Sequence, residues 1–215
     1  MSDFIKNWIL KDFDQDKLRY LKENFLLDEI TAKLLSIRNI NKDSIKSFLE
    51  PSIKNLIPNP NTLRDMEKTT LRLLKAINEN QRIGIFGDYD VDGASSTAII
   101  GNFLKIIKQN FDIYIPDRRS EGYGPSIKSF QNLIDKKVNL IITVDCGTMS
   151  FDAIDFANKN NVDVIVLDHH QSEINLPKAH SIINPNRLDD ESKLNYLCAA
   201  GVCFMTLISI NSALR

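Results

Sequence analysis

The chain has 215 residues, 43% of them hydrophobic and 26% charged, with a formal net charge of −1. This composition is ordinary for a globular protein, and the length allows one large domain or one domain plus a small one. A polycation is excluded, so any nucleic-acid contact must come from a local patch or from chain outside this sequence.

The sequence carries neither a membrane signature nor a disulfide signature. It has no apolar run of roughly 18 residues, and Trp8–Leu10 is too short for a signal peptide and is followed by charges. Cys146, Cys198 and Cys203 are too few and too scattered for a disulfide framework, and none of them forms a C-x-x-C pair. We therefore expect a protein of the reducing cytoplasm that contacts no membrane and holds no zinc.

Residues 1–80 lack strand alternation and are predicted to form a helical N-terminal region. The predicted helices span Asp16–Leu27, Asp28–Ile37, Asn41–Leu49 and Asp65–Asn80. Pro51 stops the third helix, and Pro58–Pro60 is a turn or linker. The fourth helix is amphipathic, with Leu71, Leu74 and Ile77 on one face. Its charges and those before it are interpreted as a solvated surface, and a role in gripping DNA is the alternative.

From Arg82 onward, apolar runs alternate with helical stretches. The predicted strands are Ile83–Phe86, Asp112–Ile115, Leu140–Val144 and Val162–Leu167. The predicted helices are Ala94–Lys108, Pro125–Lys136, Ser150–Asn160 and Gly201–Leu214. This alternation predicts an α/β fold over residues 81–215, in which a parallel β-sheet carries helices on both faces.

The first apolar run of this region ends in three aspartates at alternate positions, Asp88, Asp90 and Asp92, bracketed by Gly87 and Gly93. We predict that the aspartates lie in the loop after a buried strand, with a helix beyond them. Three carboxylates this close repel one another unless a cation lies among them. Mg²⁺ and Mn²⁺ are the cations that best suit oxygen ligands.

Other motifs fit this segment less well. An EF-hand calcium loop requires a glutamate at its twelfth position, where this chain has Ile99, and a helix before it. A phosphate-binding P-loop requires Gly-Lys-Ser/Thr, which the sequence lacks. An ordinary acidic turn stays open as an alternative, because Asp and Gly are common turn residues.

Two further strands end in polar groups. Asp145 follows the third predicted strand, and Asp168, His169 and His170 follow the fourth. Parallel sheets bind ligands at the carboxyl ends of their strands, so all these groups can meet at one edge. Adjacent strand residues point to opposite sides, so we expect one histidine to bind metal and the other to face the substrate.

Several carboxylates plus an imidazole are more ligands than one small ion needs. They suit two divalent ions about 3.5–4 Å apart that share a bridging water. The imidazole favours manganese or a site tolerant of both Mn²⁺ and Mg²⁺. The residues themselves therefore predict metal-assisted phosphoester hydrolysis.

The segments Gly87–Gly93, Val144–Gly147 and Asp168–His170 resemble, in order and spacing, the first three motifs of the DHH phosphoesterase superfamily. The form of the first motif and the segment Pro116–Gly124 are similar to the RecJ family of single-strand-specific 5′→3′ exonucleases. So are Asn184–Pro185 and Ala199–Phe204, and the resemblance is strongest over residues 81–204.

The resemblance implies roles for individual residues. Metal ligands are Asp90, Asp92, Asp145 and His169, with Asp88 as a ligand or a supporting carboxylate. Asp168 orients an imidazole, and His170 contacts the scissile phosphate. A loop near the substrate groove contains Arg118, Glu121, Gly122, Tyr123 and Gly124, whose glycines also fit a simple tight turn.

The resemblance also implies two Mn²⁺ or Mg²⁺ ions, single-stranded DNA as substrate, and a role in DNA recombination and repair. Single-strand-binding protein and a recombination helicase are the expected protein partners. Relatives that cleave short oligonucleotides or cyclic dinucleotides usually have a histidine-led first motif, which this chain lacks. A non-catalytic scaffold is the third alternative, and degraded motifs would mark it.

Two features depart from the family pattern. Pro125 stands where an apolar residue such as Leu is more usual. The family also has a fourth motif with a further aspartate, then a second domain and an OB-fold, and none of these occurs in residues 1–215. We expect a fragment, incomplete at its C-terminal end, that is weakly active or inactive alone.

Overall fold

A computed structural model describes residues 9–215 of the chain. It divides into two compact units, one ending at Pro58 and the other spanning Asn59–Arg215. The helices of the first unit are α1 (Gln15–Phe25), α2 (Glu29–Ile37), α3 (Ile45–Leu49) and α4 (Ile53–Leu56). Asp14 and Asp28 accept backbone hydrogen bonds at the starts of α1 and α2, which fixes where these helices begin. Of these four helices, α4 is the one that the sequence pattern did not predict.

The second unit begins with helix α5 (Met66–Asn78), whose buried face differs from the prediction. Leu71 is 61% exposed, whereas Leu73 is buried. The hydroxyl of Thr69 donates to Ser181 and that of Thr70 pairs with Ser209, so these polar residues face inward. Hydropathy alone misplaced the face because it counts threonine as a surface residue.

A five-stranded parallel sheet forms the centre of the second unit, in the order β2-β1-β3-β4-β5. The strands are β1 (Ile83–Gly87), β2 (Phe111–Tyr114), β3 (Leu140–Val144), β4 (Asp163–Leu167) and β5 (Ser181–Ile183). The last residues of β1, β3, β4 and β5 are partners in register. Their carboxyl ends therefore lie at one edge, and the three-residue β5 is the strand that the sequence pattern did not reveal.

Helices cover both faces of this sheet, as predicted. They are α6 (Val91–Ile106), α7 (Ile127–Asp135), α8 (Phe151–Lys159) and α9 (Ala199–Ala213). Ile85 and alternate strand residues pack in a core with α5, α6 and α9, whereas Phe86 and its neighbours pack with α7 and α8. The strands are almost continuously apolar because both of their faces are buried.

The predicted boundary at residue 80 lies just before the first strand, which starts at Ile83, but the compact unit starts earlier, at Asn59. Helix α5 packs against α9 and β5, so it belongs with the sheet. Among the described residues, no helix combines the length and apolar character needed to cross a bilayer.

Candidate metal centre

The end of β1 carries the first acidic motif. Asp90 caps α6, because its Oδ1 accepts a hydrogen bond of 2.9 Å from the backbone N–H of Gly93. The helix consequently begins at Val91, and Asp92 lies in its first turn instead of in the predicted loop. Gly93 is required here because a Cβ would lie 2.5 Å from the carbonyl oxygen of Asp88.

The end of β3 places Asp145 in an unusual backbone conformation, with φ of 62°. Its N–H donates to the carbonyl of Leu167 at 2.9 Å, which holds it between β3 and β4. Its Oδ1 is buried and makes no hydrogen bond within the described residues, although His169 Nε2 lies 3.3 Å away. A strained residue with an unsatisfied buried oxygen is typical of a functional position.

The end of β4 is organised by the buried carboxylate of Asp168. Its Oδ1 accepts the backbone N–H groups of His169 and His170 at 2.7 and 3.2 Å and pairs with His170 Nδ1 at 2.7 Å. Its Oδ2 accepts the N–H of Thr148 at 3.0 Å. The two imidazoles lie side by side, 4.8 Å between centroids, instead of on opposite sides. Strand alternation does not apply because β4 ends at Leu167.

These strand ends converge, as the sequence predicted. One group that could hold a metal ion contains Asp88, Asp90 and Asp145, and a second contains Asp145, His169 and His170. Within each group the candidate ligand atoms lie within 4.8 Å of one another. Asp145 belongs to both groups, so the arrangement offers two neighbouring positions that share one carboxylate.

Asp92 has a second set of contacts. Its two carboxylate oxygens accept the N–H groups of Ala199 and Ala200, at 2.7 and 2.8 Å, at the start of α9. Its Oδ2 also lies 3.5 Å from His169 Nε2. Asp92 therefore attaches α9 to the acidic cluster, and each of its oxygens already accepts one hydrogen bond.

The carboxylates differ in their affinity for protons. Burial, together with the charges of Asp92 and Asp90, raises the pKa of Asp145 to about 8. Burial also raises the pKa of Asp88. The hydrogen bond from the Gly93 N–H lowers the pKa of Asp90. A cation would offset the burial and the repulsion that keep Asp145 protonated, so the donor set fits a divalent ion.

Asp168 and His170 form an ion pair beside this cluster. Burial alone would raise the pKa of Asp168, but the hydrogen bonds from His170 and Thr148 lower it to about 2. The same bond with Asp168 raises the pKa of His170. Since Nδ1 is bonded to Asp168, His170 is held in one orientation and its Nε2 is left to contact a ligand.

The predicted substrate loop is only partly directed at the centre. The Tyr123 hydroxyl donates to the carbonyl of Asp145 at 3.3 Å and lies 3.4 Å from His170 Nε2. Burial and the charge of Asp168 raise the pKa of Tyr123, so its hydroxyl stays protonated. Arg118 lies over the Tyr89 ring, 5.4 Å from its centroid. Gly122 and Gly124 have φ of 82° and 77°, as tight turns require.

Glu121 points away from the centre. Its carboxylate accepts hydrogen bonds from the hydroxyl of Tyr114 at 2.5 Å and from the N–H of Asp117 at 3.0 Å. These bonds fold the loop back onto β2. The structure thus gives Glu121 a role in the conformation of the loop.

Two supporting residues gave little or no signal in the sequence. Asn184 is fully buried, and its Nδ2 donates to the carbonyl of His170 and to the hydroxyl of Thr148, both at 2.9 Å. The family resemblance included Asn184 but implied no function for it, and Thr148 belongs to none of the sequence motifs. Both hold the backbone around Asp168 in place.

A family model described as the DHH family, N-terminal domain, matches residues 82–213. The chain belongs to the DHH family. The single-stranded-DNA-specific exonuclease RecJ of Bacillus subtilis (strain 168) is 32% identical over 198 residues, which are 92% of this chain and 25% of that protein. This DHH chain spans about a quarter of the length of that curated relative.

Solved structures show the same fold. A crystal structure of exonuclease RecJ bound to manganese is 30% identical, with a TM-score of 0.65 over 71% of this chain and 38% of that one. RecJ from Thermus thermophilus in complex with Mn²⁺ is 24% identical, with a TM-score of 0.72 over 94% of this chain and 28% of that one. The predicted DHH fold and the predicted family are both confirmed.

Proposed function

We propose that this chain provides the metal centre of a RecJ-type exonuclease, which hydrolyses single-stranded DNA from its 5′ end in recombination and repair. The observation that carries the proposal is the sharing of Asp145 by two groups of potential metal ligands at one edge of the sheet. Relatives named as single-stranded-DNA-specific exonucleases and a relative bound to manganese support it.

The proposed ligands of two Mn²⁺ or Mg²⁺ ions are Asp88, Asp90, Asp145 and His169, and the ligand role predicted for Asp92 stays a prediction. Asp92 holds α9 against them through its bonds to Ala199 and Ala200. Such a pair of ions, when bound, supplies a water of lowered pKa and stabilises charge on phosphoryl oxygens. Among the described residues, the buried and unsatisfied Oδ1 of Asp145 is the ligand atom that most needs a cation.

The remaining residues act on the substrate through hydrogen bonds. His170 is held by Asp168, and its raised pKa favours an imidazolium that donates a hydrogen bond to the scissile phosphate. The protonated hydroxyl of Tyr123 lies beside it and helps to orient it. Arg118 and the turn at Gly122–Gly124 are proposed to border the path of the strand.

This role places the protein with DNA in the cytoplasm. Single-strand-binding protein and a recombination helicase are the partner proteins that it implies. Phosphate contacts would make binding of the strand sensitive to salt, and stacking would make it tolerant of sequence.

The test measures Mn²⁺-dependent release of nucleotides from a 5′-phosphorylated single strand and from a blunt duplex of the same sequence, with the chain extended through the fourth motif of the family. We expect the single strand to be degraded, the duplex to resist, and Asp90→Ala and His169→Ala to lose the activity. The control Asp155→Ala removes an exposed carboxylate on α8 and should have no effect. Equal cleavage of the blunt duplex, or full activity of His169→Ala, would overturn the proposal.

A further inference from the structure

A cavity of about 930 Å³ opens beside His170. Gly147, Thr148 and Asp168 line it with His170, so it adjoins the metal centre. Its other walls are the segments Tyr123–Lys128 and Met149–Ala153, which lead into α7 and α8. The volume lies within the range of about 300–1,000 Å³ that is usual for small-molecule sites.

Both of these walls carry apolar side chains that are partly exposed. Phe151 is 37% exposed, Met149 38%, Ile127 49% and Tyr123 57%. Single exposed apolar residues are common, but four around one concave surface are the usual lining of a ligand site. Aromatic rings and a thioether favour contact with a flat aromatic group.

The charges around the cavity do not favour a second phosphate. The lining contains one lysine, Lys128, and one further aspartate, Asp152, and the imidazole of His170 is already paired with the carboxylate of Asp168. Ser126 and Ser150 add hydroxyl groups, and Ser150 makes no capping bond to α8 through its side chain. A lining that combines apolar side chains with hydroxyl groups suits an uncharged planar heterocycle.

We infer that this cavity binds the nucleobase of the nucleotide whose phosphate lies at the metal centre. The inference rests on the proposed function, because that function places the phosphate next to His170. The base stacks on Phe151 and Tyr123 and contacts Met149. Stacking depends on a flat ring more than on its substituents, so all four bases are accepted and loss of the base weakens binding.

The experiment compares two probes that share a phosphate and a sugar. With Mn²⁺ present, the 2′-deoxyribonucleoside 5′-monophosphate of 2-aminopurine and 2-deoxyribose 5-phosphate are each titrated into the 215-residue chain. We expect the nucleotide to bind roughly tenfold more tightly or better, with quenched fluorescence, because one stacked base contributes on that order. The sugar phosphate reports the phosphate site alone.

In Phe151→Ala, the nucleotide should bind at most about threefold more tightly than the sugar phosphate. The affinity for the sugar phosphate should be unchanged. Met149→Ala should reduce the preference for the nucleotide less and serves as an independent test if Phe151→Ala unfolds. Phe204→Ala is the matched control, because Phe204 is a similarly exposed phenylalanine on α9 and is not among the lining residues. It should preserve both affinities.

The outcomes separate the two proposals. Equal binding of both probes by the unaltered chain would overturn the base cavity and leave the phosphate site intact. Equal weakening of both probes by Phe151→Ala and Met149→Ala would also overturn it. Failure of both probes to bind in the presence of Mn²⁺ would overturn the proposed function together with the cavity.

Discussion

The two edges of the central sheet hold charged residues in opposite ways. At the amino edge, the Arg72 side chain is 6% exposed and each of its three guanidinium nitrogens donates a hydrogen bond. It donates to Asp163 at 2.6 Å, to Gln81 at 2.9 Å and to the carbonyl of Asn139 at 3.3 Å. These contacts tie α5 to three strands of the sheet, so opposite charges and dipoles stabilise the fold there.

At the carboxyl edge, like charges are brought together. Asp88, Asp90 and Asp145 meet there, with the charge of Asp92 close enough to raise the pKa of Asp145. Asp145 also combines a left-handed backbone with a buried oxygen that finds no hydrogen-bond partner among the described residues. The fold provides acceptors for the guanidinium of Arg72, whereas it leaves these carboxylates close to one another. The contrast shows which edge stabilises the protein and which one is arranged for a ligand.

The largest expected effect is the loss of metal binding in Asp145→Asn. Asparagine tolerates the left-handed backbone, so the fold should be kept while both proposed positions lose a shared ligand. We expect Mn²⁺ affinity to fall by at least about 100-fold, since changes to outer partners alone cost about 10–100-fold. Calorimetric titration measures this affinity. An unchanged affinity would contradict the claim that the carboxyl edge, unlike the amino edge, is arranged for a ligand.

The next effect is a dependence of metal affinity on pH. The pKa of Asp145 is raised to about 8, so below that pH an arriving cation must displace a proton. Mn²⁺ affinity should rise by up to about tenfold per pH unit from pH 6 to pH 8 and then level off. The folded metal-free chain also binds this proton more tightly than the unfolded chain.

Stability without metal should therefore fall as pH rises from about 4 to about 8, as linkage requires for a raised carboxyl pKa. Asp145→Asn should flatten both pH profiles, and Asp155→Asn serves as the control on an exposed position. If the Mn²⁺ affinity of the unaltered chain did not depend on pH, that result would contradict the raised pKa of Asp145 at the carboxyl edge.

At the opposite edge, Arg72→Met should destabilise the fold and leave metal binding unchanged. The buried contacts to Gln81 and Asn139 would lose their donor, while half-exposed Asp163 can be solvated. We expect a loss of about 2 kcal/mol, below the range for fully buried pairs. Denaturant unfolding measures it. Arg82→Met, which removes an exposed partner of Asp112, should cost less.

The smallest expected effect belongs to Asp92→Asn. The amide keeps one acceptor for the α9 backbone but presents a donor to the other N–H group. We expect Mn²⁺ affinity to fall by about tenfold and the amides of Ala199 and Ala200 to exchange faster with solvent. Hydrogen exchange distinguishes the loss of this anchor for α9 from the simple loss of a metal ligand. If the amides of Ala199 and Ala200 stayed protected while metal binding weakened, Asp92 would act only as a ligand.

Much of the fold and of the site could be predicted because the signals were local. Apolar runs revealed four of the five strands, and the groups at their ends revealed the converging edge. Strand β5 escaped because three residues carry no periodicity. The inward face of α5 was misplaced because Thr69 and Thr70 are buried through hydrogen bonds that only the fold supplies.

Side-chain direction was the other limit. Asp92 entered α6 because Asp90 caps the helix, and Glu121 turned toward Tyr114 instead of toward the metal centre. The paired imidazoles of His169 and His170 depend on Asp168, whose contacts cross from β4 to the loop after β3. Spacing in the sequence contains none of these long-range contacts.

The most direct measurement is anomalous diffraction from crystals of this chain grown with Mn²⁺. We expect two manganese peaks about 3.5–4 Å apart, with Asp145 between them and Asp90 and His169 among the ligands. Crystals without manganese at this edge, or with manganese bound only elsewhere on the chain, would contradict this expectation.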